Sequence, residues 1–150
     1  MGDNMGEIEL GNILLTTVIS LITFIIANLY VEPFKKYKDL KVKTDYLLVL
    51  YSNRICNPID LADIADNKLP DEYQEASNGL RELAAEWISF KLYKNFLNCF
   101  IVSNKKLNNI GRNLILLSNS LTYPYNCKNL NDIRDNKKVI DEIRDVLKIK

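Results

Sequence analysis

From Leu10 to Val31 the chain carries no charged side chain, and the run is closed by Glu9 on one side and Glu32 on the other. A helix of that length reaches about 33 Å, enough to cross a hydrocarbon layer of ~30 Å. Most of its positions are Ile, Leu, Val or Phe, each favouring insertion by roughly 0.3–0.6 kcal/mol. The pattern predicts a transmembrane helix over residues 10–32, since a buried core helix seldom needs so long an uncharged run. A cleaved signal peptide would need a basic leading segment, whereas residues 1–9 hold Asp3, Glu7 and Glu9 and no base.

Within the run, Asn12, Thr16, Ser20, Thr23 and Ala27 follow one another at steps of four, four, three and four, which places them on one helical face. Two readings are open. Small and hydroxylated residues allow close helix approach, so the stripe can be a transmembrane association face. Alternatively, the hydroxyls bond back to carbonyls of their own helix. Lys35, Lys36, Lys38, Lys41 and Lys43 follow the span. Basic flanks stay on the cytoplasmic side, so residues 1–9 are expected outside and residues 33–150 inside. These lysines are the expected contacts to the membrane surface, and the lipid bilayer is the first expected partner.

Beyond the span the apolar period is helical. Leu40, Tyr46 or Leu47, Leu50 and Tyr51 can share a face of a juxtamembrane helix over 33–57, with Pro33 at its start and Asn57-Pro58 at its end. Residues 59–72 are acidic and read as a loop with one short turn at 61–65. Tyr73, Ala76, Leu80, Leu83, Trp87 and Phe90 mark the next helix, and Leu107, Ile110, Leu114, Leu117 and Leu121 another, with Gly111 permitting a close helix contact. Between them the chain is expected to turn through Asn98 to Asn104, and Tyr123-Pro124-Tyr125-Asn126 breaks the later helix. Asn129 can cap a last helix buried through Ile133, Ile140, Ile143 and Leu147. No strand-like alternation competes. The expected fold is all-α: one N-terminal transmembrane helix, then a small cytoplasmic helical bundle over 58–150 that packs with 40–57.

Composition narrows the chemistry. At 150 residues, 47% hydrophobic and 26% charged, the chain suits one folded domain. It has no histidine, which removes histidine bases, histidine metal ligands and Ser-His or Cys-His pairs. A net charge of +1 argues against nucleic acid as a partner. The nucleotide-cradle, nucleophile-elbow and zincin motifs are missing from the sequence. Cys56, Cys99 and Cys127 are odd in number and widely spaced, unlike a disulfide framework or a CxxC site. Glu82 and Glu86 read as a solvated face, and Asp60, Asp63 and Asp66 as a solvated acidic loop without the glycine and glutamate of an EF-hand. No catalytic residue, cofactor or metal ligand is therefore expected. Between Glu86 and Asp132 the sequence has no acid but holds Lys91, Lys94, Lys105, Lys106, Arg112 and Lys128. This basic stretch suits anionic headgroups, an acidic protein face or plain solvation.

Tyr30-Val31-Glu32-Pro33, Tyr51-Ser52-Asn53 with Asn57-Pro58, the run from Glu75 to Glu86 and the run from Leu114 to Leu121 together resemble a loose group of uncharacterised single-span bacterial membrane proteins with a cytoplasmic helical domain. The resemblance covers most of the chain. It implies a place in the bacterial inner membrane and brings no catalytic residue, cofactor or substrate. The expected function is a membrane-anchored, non-enzymatic interaction or signalling protein that presents its bundle to a cytoplasmic protein partner, with a homo-oligomer as a further expectation. The alternative is an oligomeric membrane effector that perturbs ion permeability, with the bundle as sensor or gate.

Overall fold

The structure is a computed structural model that describes residues 3–60, 68–93, 103–123 and 130–149. The chain divides into two units, Met1–Lys36 and Tyr37–Lys150. The architecture is all-α with one long apolar N-terminal helix.

Helix α1 (Asp3–Ile26) contains most of the uncharged run and passes directly into a wide π turn, Ala27–Val31. The sequence explains this turn. Pro33 has no N–H to donate, and in a regular helix its ring would collide with the carbonyl of Leu29. One residue earlier the Glu32 N–H reaches back to the Ala27 carbonyl, a five-residue step that opens the turn where the ring needs room. Asn28 Nδ2 donates to the Phe24 carbonyl at 2.8 Å. Helix α2 (Glu32–Leu50) then begins with Pro33 in its first turn, where a proline is tolerated. The helix start expected at Pro33 is thus a widened turn that runs straight into α2.

In the second unit, α2 is followed by α3 (Ser52–Cys56), strand β1 (Ile59–Asp60), α4 (Asp71–Tyr93), α5 (Asn104–Asn119), strand β2 (Thr122–Tyr123) and α6 (Leu130–Leu147). The apolar periodicity becomes one core. Leu40, Leu47, Leu48 and Tyr51 come from α2 and its end, Ile55 from α3, and Leu80, Leu83, Trp87 and Phe90 from α4. Leu107, Ile110, Leu114 and Leu117 join from α5, and Ile140, Ile143 and Leu147 from α6. Each fully buried aliphatic or aromatic side chain contributes about 1.5–3 kcal/mol. Between Tyr46 and Leu47 the structure chooses Leu47: it is buried, while Tyr46 and Leu50 are exposed. Tyr37, Trp87 and Phe90 form an aromatic group with centroids 5.9–6.2 Å apart.

Glycine sets two close approaches. A Cβ on Gly111 would lie 3.1 Å from Ile88 Cγ1, so α5 comes near α4 at the glycine singled out by the sequence. A Cβ on Gly79 would lie 2.8 Å from Tyr51 Oη and 2.9 Å from its Cε2. The Tyr51 ring lies over the glycine backbone.

Other expectations change as well. The acidic loop was expected to begin at residue 59, yet Ile59 and Asp60 pair in parallel with Thr122 and Tyr123. This small ladder, with Ile59 N–H on the Leu121 carbonyl at 3.0 Å, satisfies backbone groups where two loops meet. Glu86, expected on a solvated face, instead accepts from Lys43 Nζ at 2.6 Å. The turn at 61–65, the carboxylates of Asp63 and Asp66, the turn at 98–102, the break at 124–126 and the Asn129 cap lie outside the described residues. So do Lys94, Lys128, Cys99, Cys127 and the side chain of Ile133.

Candidate membrane segment and its flanking lysines

An 18-residue window in the helical stretch Glu9–Leu50 has a mean hydropathy of 2.2, and none of it is buried. Leu10, Ile13, Leu14, Val18, Leu21 and Phe24 are all exposed. This is one helix long and apolar enough to span a membrane, and its apolar side chains have no protein cover. In water that exposure would cost about 25 cal/mol for every Å² left uncovered.

Asn12, Thr16, Ser20 and Thr23 lie on α1, and Ala27 opens the π turn that follows it. Thr16 Oγ1 donates to the Asn12 carbonyl and Thr23 Oγ1 to the Ile19 carbonyl, each at 2.8 Å. Thr17, off the stripe, does the same to Ile13. The hydroxyl hydrogens of Thr16 and Thr23 are therefore engaged within their own helix. Ser20 is exposed, and Ala27 is half-buried in the π turn.

The lysines divide. Lys35, Lys36 and Lys38 are exposed. Lys41 and Lys43 are half-buried in the second unit, and both are engaged there. Lys41 Nζ donates to the Lys148 carbonyl at 3.0 Å. Lys43 pairs with Glu86, and that hydrogen bond holds its ammonium above the ordinary lysine pKa, assisted by the charges of Glu86 and Glu82 and opposed by partial burial. These two lysines fasten α2 to the segment just after α6 and to α4. A basic run in sequence does not distinguish a lysine that faces lipid from one that closes a helix contact; the distinction follows from which face carries Leu40 and Leu47.

Polar anchors lie inside the core and at its margin. Thr44 is fully buried and accepts from Trp87 Nε1 at 2.9 Å. Asn136, also buried, donates to the Ile55 carbonyl at 2.9 Å. Arg54 Nη2 donates to Glu72 at 2.7 Å, which raises the guanidinium pKa, and Tyr73 Oη donates to the Asn57 carbonyl at 2.7 Å. A polar residue at the buried spacing, Thr44 four after Leu40, was the available sign of the first. Cys56 is half-buried and in no disulfide. Among the described residues, no group of three or more Asp, Glu or Cys side chains gathers as metal ligands would.

Comparison with family models, with curated proteins and with solved structures gives no match to this chain.

Proposed function

We propose that the chain is a single-span membrane protein whose residues 1–9 face outward and whose second unit works in the cytoplasm as a non-enzymatic interaction module for a protein partner. The observation that carries this reading is the uncovered helix: an apolar window of mean hydropathy 2.2 with no side chain buried. The side on which the second unit lies rests on the lysines that follow the span. The bacterial inner membrane enters only through the resemblance to single-span bacterial proteins.

Within the second unit, Val42, Tyr46 and Val49 are exposed at helical spacing on α2, which supports a protein partner over a purely solvated surface. The test combines topology with capture. Protease added outside intact cells is expected to spare residues 44–150, and their digestion without lysis would reverse the orientation. A partner crosslinked in cells is expected to be lost in Val42→Asp/Val49→Asp at unchanged melting temperature. A partner retained by that variant removes α2 from the docking surface.

A further inference from the structure

Helices α4 and α5 leave a cleft of about 200 Å³ beside the strand pair, lined on its polar side by Gln74, Ser77, Arg81, Ser118, Asn119 and Thr122. Its base is a pair of buried hydroxyls. Ser118 Oγ donates to the Ser77 carbonyl at 3.2 Å, and the two Oγ atoms are 3.0 Å apart. Because the Ser118 hydrogen is committed to that carbonyl, Ser77 is the donor between the hydroxyls. Arg81 is fastened onto this base: its Nε donates to Ser118 Oγ at 2.9 Å and its Nη2 to Asn119 Oδ1 at 3.1 Å.

A guanidinium has five N–H donors in a fixed plane. The Nε–Nη2 edge of Arg81 is used by α5, which leaves the end formed by Nη1 and the second Nη2 hydrogen. Among the described residues no acid lines the cleft and Arg81 forms no ion pair. Gln74 Nε2 gives one hydrogen to Asn78 Oδ1 and keeps a second, and Thr122 supplies a hydroxyl. The cleft thus offers donors and a cation whose orientation is already fixed, so little ordering entropy remains to be lost on binding.

We propose that this cleft receives a small oxyanion, a carboxylate or phosphate group, held end-on by the free fork of Arg81 with Thr122 and Gln74 as further donors. The site belongs to the second unit and does not depend on where the first unit resides.

The test uses the full chain in detergent, titrated separately with inorganic phosphate and with acetate and followed by calorimetry at constant ionic strength. Saturable binding at one site per chain is expected. Arg81→Lys keeps the charge but lacks the fork, and is expected to weaken binding by about tenfold, ~1.4 kcal/mol. Thr122→Val is expected to weaken it by a smaller factor, and Arg112→Ala to leave it unchanged. Phosphate binding without acetate binding assigns the site to phosphate groups, and the reverse assigns it to carboxylates. In the unaltered protein, the bound anion is expected to protect Arg81 from phenylglyoxal, which keeps the test open should Arg81→Lys fail to fold. Binding of neither anion, equal binding by Arg81→Lys, equal loss in Arg112→Ala or unprotected Arg81 would each overturn the proposal.

Discussion

Trp87 Nε1 lies 2.9 Å from Thr44 Oγ1, and that same hydroxyl donates to the Leu40 carbonyl at 2.7 Å. The indole N–H of a fully buried tryptophan is thereby satisfied by a fully buried threonine, which links α4 to α2 in the middle of an otherwise apolar core. Thr44→Val keeps the shape and removes the acceptor. It is expected to destabilise the second unit by about 1–3 kcal/mol, the cost of an orphaned buried donor, whereas Thr44→Ser should lose less. Denaturant unfolding followed by the fluorescence of Trp87, the single tryptophan of the chain, measures both. Equal stability of Thr44→Val and the parent would show that the indole finds another acceptor.

Gly79→Ala tests the contact beneath Tyr51. Helix propensity alone would favour alanine by about 1 kcal/mol. The added carbon would meet the tyrosine ring at 2.8–2.9 Å, so a net loss of roughly 1–3 kcal/mol is expected. Tyr51→Phe should not rescue it, because the Cε2 contact survives removal of the hydroxyl. Gly111→Ala is expected to be milder, since its nearest neighbour is the exposed side chain of Ile88 at 3.1 Å. Thermal melts of the three variants decide the order.

Alkaline pH should loosen the second unit. Burial raises the pKa of Tyr37 and Tyr51, and the Glu86 hydrogen bond raises that of Lys43. All three are held protonated in the folded state above their ordinary values of about 10 for tyrosine and 10.4 for lysine. The unfolded chain therefore releases these protons first. Their contribution to stability is complete below about pH 10 and is lost as pH rises through the folded-state values. Melting temperatures are expected to be insensitive to these groups near neutrality and to fall above about pH 10, and Glu86→Ala should reduce the lysine share. No fall in that range would contradict the tyrosine burial.

For the apolar helix, replacing Thr16, Ser20 and Thr23 with Leu improves transfer into lipid. With the Thr16 and Thr23 hydrogens spent on their own helix, the change is expected to leave membrane extraction and chain-to-chain crosslinking as they were. Loss of a crosslinked species in the triple variant would instead assign the stripe to a seam between helices.

Much of this fold was legible because its helices are amphipathic at regular spacing. Leu80, Leu83, Trp87 and Phe90, and Leu107, Ile110, Leu114 and Leu117, all lie in the core their periodicity predicts. What escaped were contacts whose partners are far apart in the chain. The Lys43–Glu86 pair spans 43 residues and the Asn136–Ile55 bond 81, and no local pattern marks either partner. The strand pair escaped for another reason: two residues are too few for alternation to register. The Arg81 cleft escaped because Ser77, Arg81, Ser118 and Asn119 carry no spacing signature until α4 and α5 are packed.

Helix α6 emerges from the ribosome after every element it touches, yet it supplies the Asn136 donor to the buried end of α3 and the Arg144 contact to Asp45 at 3.5 Å. Just beyond it, Lys148 provides the carbonyl for Lys41. The pair α4 and α5 packs between neighbours in sequence and can form early, whereas α2 gains its Lys148 and Arg144 contacts only from a segment made about a hundred residues later. Long-range closure of this kind slows folding and leaves partly buried surface open in the interval. While α6 is still unmade, Lys41 lacks the Lys148 carbonyl, Asp45 its Arg144 partner and the Ile55 carbonyl its Asn136 donor. A chain stopped before Leu130 is therefore expected to unfold at lower denaturant than the full chain and to aggregate more readily.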